Sequence, residues 1–449
     1  MKRRMIGAWM ALMITASSLV VSASPAADMS SVSADPQQEQ TESEDEEETP
    51  DIPVTDQPGE AETPVPTALP EPETVEEAFE EGEDNTENTD SDELIEPEEE
   101  PEAVSEEDWE AMQKEPVFGQ ELNYLFNGGA CVSAKYMAEV QGYYEEYGIN
   151  AKYMEGESVV NTVGTGQCLW GTDHIATMLV PITNGVNMSF VCGAHVGCKS
   201  IYVPKDSDIN SVQDLKGKTI AIHDGIGNSD QNISYRLLDE YGIDPTSEVE
   251  FLDIADNAAT MEAMKNGEVD ASIFSDYFVL ANFKDDLKMI CSIGYSPEFQ
   301  DEACCVTAMN NDFIKENPVH AKYVTMAIKR AGEYNRLHSE EAIQKMYDTD
   351  KMTGEKENQQ VFWDNLHFGL SDAFTENALR EIAEDYIRLG IIKDKDLTVD
   401  DVMDMAWTET CPDEEMPEGY TVGDPVEPEN AIVPIQQKEN PAKMEGFGL

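Results

Sequence analysis

The chain has 449 residues, with 93 Asp and Glu against 28 Lys and Arg, for a formal net charge of −65. That balance excludes a nucleic-acid binder, which needs basic groups to displace phosphate counterions, and it excludes an anionic membrane surface as direct partner. With 40% hydrophobic residues the chain is too polar to sit in a bilayer and apolar enough for a folded core of more than one domain.

In chain order, Lys2, Arg3 and Arg4 precede an apolar run from Met5 to Val21 and the small-x-small triplet Val21-Ser22-Ala23. This is the pattern of an export signal over residues 1–23; the competing reading is a retained anchor, which Thr15, Ser17 and Ser18 disfavour. No Cys precedes Cys131, so a lipoprotein attachment Cys is missing. The expected product is a bacterial extracytoplasmic protein, secreted or periplasmic, with no direct membrane insertion after cleavage. Residues 28–115 hold 35 acidic residues and one basic residue, Lys114. The stretch 24–116 is therefore expected to be a disordered acidic linker, with a short helix near Glu102–Met112. A proline-rich extended tail is expected over 411–449.

Folding signals concentrate in 117–410. Strands are predicted at Leu122–Phe126, Asn150–Met154, Gln167–Gly171, Asn187–Cys192, Ser200–Val203, Lys218–His223, Glu248–Leu252 and Val269–Phe274, alternating with helices. After Ala308 the pattern becomes helical through Val399–Ala406. Alternating βα units give an α/β fold, and this length calls for two lobes, each expected to be a mixed, mostly parallel sheet with helices on both faces.

Several segments resemble a known family. Gly128-Gly129-Ala130 is followed by Met137-Ala138-Glu139 and Gly142-Tyr143-Tyr144-Glu145-Glu146-Tyr147-Gly148. Tyr202-Val203-Pro204-Lys205-Asp206-Ser207 leads to Ser211-Val212-Gln213-Asp214-Leu215-Lys216-Gly217-Lys218; Met264–Ala271 and Asp312–Pro318 follow in order. This series resembles bacterial extracytoplasmic solute-binding proteins of the nitrate, sulfonate, taurine and thiamine-precursor type, the receptors of ABC importers. The resemblance covers about half the chain. It implies a type II periplasmic-binding-protein-like fold, with ligand between lobes that close by a hinge. Crossovers are expected near Val203–Lys205 and Cys304–Ala308, with lobe 1 at about 117–203 and 306–410 and lobe 2 at about 206–303. The implied partners are a small-molecule ligand and an importer permease, for a monomer that performs no chemistry and holds no cofactor or metal.

The loops after successive strands supply the candidate ligand-binding residues: Gly128, Gly129, Ala130, Trp170, Thr172, Asp173, His174, His195, Cys198, His223, Gly225, Gly227, Asn228, Ser229, Asp276 and Tyr277. For any single Gly or Asp the plainer reading is an ordinary turn or a helix cap. Gly225-x-Gly227 lacks the third glycine of a dinucleotide fingerprint, because Asp230 stands there. These loops hold four Asp and one basic residue, Lys199, which favours a neutral or cationic heterocycle or amine over an anion.

His174, His195, Cys198 and the crossover pair Cys304-Cys305 also allow a metal-binding receptor or scavenger, weighed against a local Cys192–Cys198 disulfide or buried thiols. An enzyme on the same fold is the weakest reading. The related thiamine-pyrimidine enzymes carry a "CCCFC" iron motif, and here Val306 follows Cys304-Cys305.

Overall fold

Leu122, Tyr124 and Phe126 put large side chains on β1 (Glu121–Phe126), which pairs in parallel with β2 (Asn150–Glu155) from Glu121 opposite Asn150 to Phe126 opposite Glu155. A crossover helix is required between parallel strands, and Ala134–Val140 and Tyr143–Glu146 supply it. In the computed structural model, residues 103–156, 158–299 and 302–425 are described. The expected export signal and most of the expected acidic linker lie outside them.

The first sheet has the order β2-β1-β3-β10-β4, with β3 at Trp170–His174, β4 at Met188–Val196 and β10 at Ala303–Asn310. The second has the order β7-β6-β8-β5-β9: β5 Lys199–Pro204, β6 Thr219–Ile222, β7 Glu250–Asp253, β8 Ala271–Ser275 and β9 Leu287–Ser292. In each sheet the strand that has crossed over runs antiparallel to its neighbours, β10 in the first and β5 in the second. Both sheets are thus mixed, as the two-lobed α/β reading requires.

The crossings lie earlier than expected. β4 leaves the first sheet at Val196 and β5 enters the second at Lys199, so only Gly197 and Cys198 lie between them. The return lies between Ser292 and Ala303. The stretch Lys199–Pro204 therefore belongs to lobe 2 and Ala303–Asn310 to lobe 1. The two crossings touch: a Cβ on Gly197 would stand 2.2 Å from the carbonyl oxygen of Ile293, and one on Gly294 would stand 2.5 Å from that of Gly197. Only glycine lets the backbones approach this closely.

The folded region is wider than 117–410. Ser105 caps the helix Glu106–Met112, whose Trp109 and Met112 are buried. Glu115 then accepts from the backbone N–H groups of Val319 (2.7 Å) and His320 (2.9 Å) at the start of the helix Pro318–Leu337. Two apolar residues one turn apart are enough to dock this end of the acidic stretch. At the other end, the buried Lys329 ammonium donates to Asp372 (2.7 Å), Asp413 (2.9 Å) and the Cys411 carbonyl (2.8 Å). Asp424 accepts from Ser371 N–H and Oγ, and Gly423 donates to the Gly369 carbonyl. The tail is therefore packed as far as residue 424, not extended from 411. Among the described residues no helix is long and apolar enough to cross a membrane.

Candidate functional site between the sheets

Gly128 and Gly129 follow β1 with φ of 78° and 85°, a conformation that costs glycine little, and they turn the chain into the short 3-10 turn Ala130–Val132. This turn carries Cys131 toward the crossings. At the end of β3 the Asp173 carboxylate accepts from the His174 backbone N–H (2.7 Å) and lies 3.0 Å from its Nδ1. The other ring nitrogen, Nε2, is 3.4 Å from the Cys198 sulfur, which in turn lies 3.8 Å from that of Cys304. Burial and Lys199 press the His174 pKa down, but the bond to Asp173 together with the negative charge of Cys304 and Asp173 raises it to about 8. His195 is fully buried; its Nδ1 meets the Val196 carbonyl, and its Nε2 has no hydrogen-bond partner among the described residues.

Asp276 adjoins this cluster: its backbone N–H donates to the Cys198 carbonyl (2.9 Å). One carboxylate oxygen accepts from Tyr202 Oη (2.7 Å), and the other meets no donor at hydrogen-bond distance among the described residues. The group is 1% exposed, and burial pushes its pKa up to about 7 against the pull of Ser200 and Tyr202.

A second group forms on the lobe 2 side. The Lys199 ammonium is ion-paired with Asp230, lies 3.9 Å from Asp224 and donates to Ser229 Oγ (2.9 Å). Burial lowers the Lys199 pKa, but the two carboxylates more than reverse this and hold it above its ordinary value. Asp230 also accepts from the His223 backbone (2.8 Å), and the His223 ring stacks on Phe274 at 4.8 Å. Asn228 caps the helix Ser229–Glu240, accepting from Ser229 N–H. Gly225 and Gly227, at φ of 92° and 85°, shape this loop.

Three expected ligand residues lie elsewhere. Trp170 is fully buried in lobe 1, stacked on Tyr124 at 5.4 Å, with its Nε1 donating to Tyr144 Oη (3.2 Å). Thr172 faces Thr307 within the first sheet, Oγ1 to Oγ1 2.9 Å. Tyr277 turns toward the C-terminal helices, where its Oη accepts from Thr353 N–H (2.9 Å). Cys192 is not beside Cys198; its neighbours are Thr307 and Lys329, and all eight cysteines are free thiols.

The strand-end loops did not point to Lys135, the second residue of the helix Ala134–Val140. Its buried ammonium donates to the Val132 carbonyl (2.9 Å) and Asn127 Oδ1 (3.3 Å), and burial lowers its pKa to about 7. Only tertiary packing reveals that this lysine is dry. Two surface depressions lie away from all these groups. One, of about 420 Å³, includes Asp239 and Arg388 in its wall; the other, of about 600 Å³, includes Ile182 and Thr408.

Comparison with known proteins fits this architecture. Residues 132–342 match the family described as NMT1/THI5 like. The alkanesulfonate-binding protein SsuA of Xanthomonas axonopodis pv. citri superposes with a TM-score of 0.52 at 16% identity, over 64% of this chain and 98% of its own. The CA3427 gene product of Candida albicans, described as having the generic periplasmic binding protein fold, gives 0.53 at 14% identity, over 65% and 96%. The nitrate-binding protein NrtA of Synechocystis PCC 6803 gives 0.50 at 14% identity, over 73% and 97%. No curated protein sequence matches the chain. At these identities the solved structures speak for fold alone. The resemblance read from the sequence is borne out: residues 132–342 carry the NMT1/THI5 like pattern, and the chain has the type II periplasmic-binding-protein fold.

Proposed function

We propose that the protein is an extracytoplasmic solute-binding protein that takes a small molecule between its lobes and presents the closed form to the permease of an ABC importer. The double crossing between two sheets, with polar groups gathered beside it, carries this reading. It is the arrangement that lets hinge closure enclose a ligand. The signal-like residues 1–23 and the family pattern support it. No covalent step is needed, and a monomer suffices.

The solute proposed is neutral or cationic. SsuA and NrtA are named for anions, alkanesulfonate and nitrate. Here Lys199 is already neutralised by Asp230 and Asp224, and burial brings Lys135 down to about 7. Asp276 meanwhile offers an unmet acceptor. An N–H or ammonium group would satisfy that oxygen and, by favouring the ionised carboxylate, would draw its pKa down from about 7.

Native mass spectrometry of the purified full-length protein tests this directly, and a bound organic mass released on denaturation is expected. Asp276→Asn keeps the shape and the Tyr202 contact but removes the charge. It is expected to weaken binding of that molecule about 10- to 100-fold with the fold intact. Equal affinity in the variant would remove Asp276 from the ligand's contacts.

A further inference from the structure

Four of the eight cysteines, distant in sequence, meet where the chain passes between the sheets. Cys131 stands in the turn after β1, Cys198 in the first crossing, and Cys304 and Cys305 at the start of β10. His174 closes β3 and His195 lies next to the end of β4. The donor atoms of His174, Cys198, Cys304 and Cys305 all lie within 4.8 Å of one another, and so do those of Cys131, His195 and Cys198.

The spacings match a coordination shell. A tetrahedral ion with metal–sulfur bonds of about 2.3 Å and metal–nitrogen bonds of about 2.0 Å has edges near 3.8 Å between sulfurs and 3.5 Å between sulfur and nitrogen. The Cys198–Cys304 separation is 3.8 Å and the Cys198–His174 Nε2 separation is 3.4 Å. A thiol–thiol contact alone would give the first distance, so the imidazoles decide the matter. The Asp173 carboxylate holds His174 Nδ1, which turns Nε2 toward the sulfurs; carboxylates commonly orient metal-ligating histidines in this way. His195 spends Nδ1 on the Val196 carbonyl and leaves a fully buried Nε2 with no hydrogen-bond partner among the described residues, within reach of Cys131 and Cys198. An unpaired buried acceptor costs about 1–3 kcal/mol unless something binds it.

We propose that this cluster binds a thiophilic d10 cation, zinc(II) or copper(I), through His174, Cys198, Cys304 and Cys305, with Cys131 and His195 as an adjoining set that shares Cys198. Soft thiolate and imidazole donors select such ions over magnesium or calcium. The ion would tie the first crossing, at Cys198, to the strand that returns from the second, at Cys304, and so fix the hinge geometry. The proposal rests on the two-lobe receptor reading only for that consequence.

The test is titration of the reduced full-length protein with zinc chloride under nitrogen, against a chromophoric chelator, with cobalt(II) as a spectroscopic probe. One tightly held zinc per chain is expected, with a submicromolar Kd. Cobalt should show thiolate charge-transfer bands and intense tetrahedral d–d bands. Cys198→Ser, or Cys304→Ser if the first variant fails to fold, is expected to lose at least about 100-fold in affinity. Asp173→Asn, acting through His174, should lose about 10- to 100-fold. Cys168→Ser should bind as the parent does. Octahedral oxygen-type cobalt spectra, millimolar zinc binding, or full affinity in folded Cys198→Ser or Cys304→Ser would overturn the proposal. Zinc bound with no copurified organic molecule would uphold this site and defeat the organic-solute reading. An organic molecule bound to a protein that takes up no zinc would do the reverse.

Discussion

Replacing Arg236 by methionine is expected to lower the unfolding free energy by about 3–5 kcal/mol, the range for removing one partner from a buried ion pair. Arg236 lies on the lobe 2 helix Ser229–Glu240 and is 7% exposed. Its Nη1 and Nη2 donate to the two oxygens of Glu302, at 2.6 and 2.9 Å, and its Nε donates to Asp385 at 2.9 Å. Asp385 belongs to the helix Asp372–Arg388 of the C-terminal part, and Glu302 stands on the returning crossing. One guanidinium thus joins both lobes at the hinge, so the variant should also open the lobes in solution. Chemical denaturation and small-angle X-ray scattering report the two effects. Arg236→Lys keeps the charge but loses the fork, and should recover only part of the stability. An unchanged midpoint with an unchanged radius of gyration in Arg236→Met would show that this clamp does not hold the lobes.

Trp170→Ala is expected to cost about 3–5 kcal/mol of stability, as large core truncations do, while the folded fraction keeps its ligand affinity. The indole stacks on Tyr124 and packs against Tyr144 and Phe313 at 5.6 and 6.3 Å between ring centres. Its removal would leave a cavity and strip Tyr144 Oη of a donor at 3.2 Å. Thermal unfolding beside a binding isotherm separates stability from recognition. A large loss of affinity with unchanged stability would return Trp170 to the cleft.

That contrast shows how far the sequence could be read. The strand around Trp170 is legible, but its predicted span, Gln167–Gly171, is three residues early. In the structure Trp170 opens β3 opposite Tyr124, so the early span put a core indole at the strand's end, where a ligand loop was expected to begin. Alternation cannot fix such an edge, because in β3 Trp170, Gly171 and Thr172 are all buried. The same limit hid β9 and β10. All eight residues of β10 are buried, so no face periodicity marks the strand, and its partners β3 and β4 lie more than 100 residues away in sequence. The crossings moved for the same reason: β4 and β5 are nearly continuous apolar strands with only Gly197 and Cys198 between them. Residue types at the site were legible, as His174, His195, Cys198 and Cys304-Cys305 stood out. Their meeting with Cys131 and Lys135 was not, because it follows from two sheets folding over one hinge. Composition also hid both ends of the fold, where Trp109 and Met112 dock among acids and Asp413 and Asp424 are anchored by Lys329 and Ser371.

On the proposed function, a small solute is enclosed between the two sheets beside the crossings. A crystal structure of the full-length protein with its copurified solute tests it most directly. Solute density bounded by both sheets, within hydrogen-bond reach of Asp276, is expected. Density confined to the surface depression between Asp239 and Arg388, or a solute held by one lobe away from Gly197 and Gly294, would contradict it.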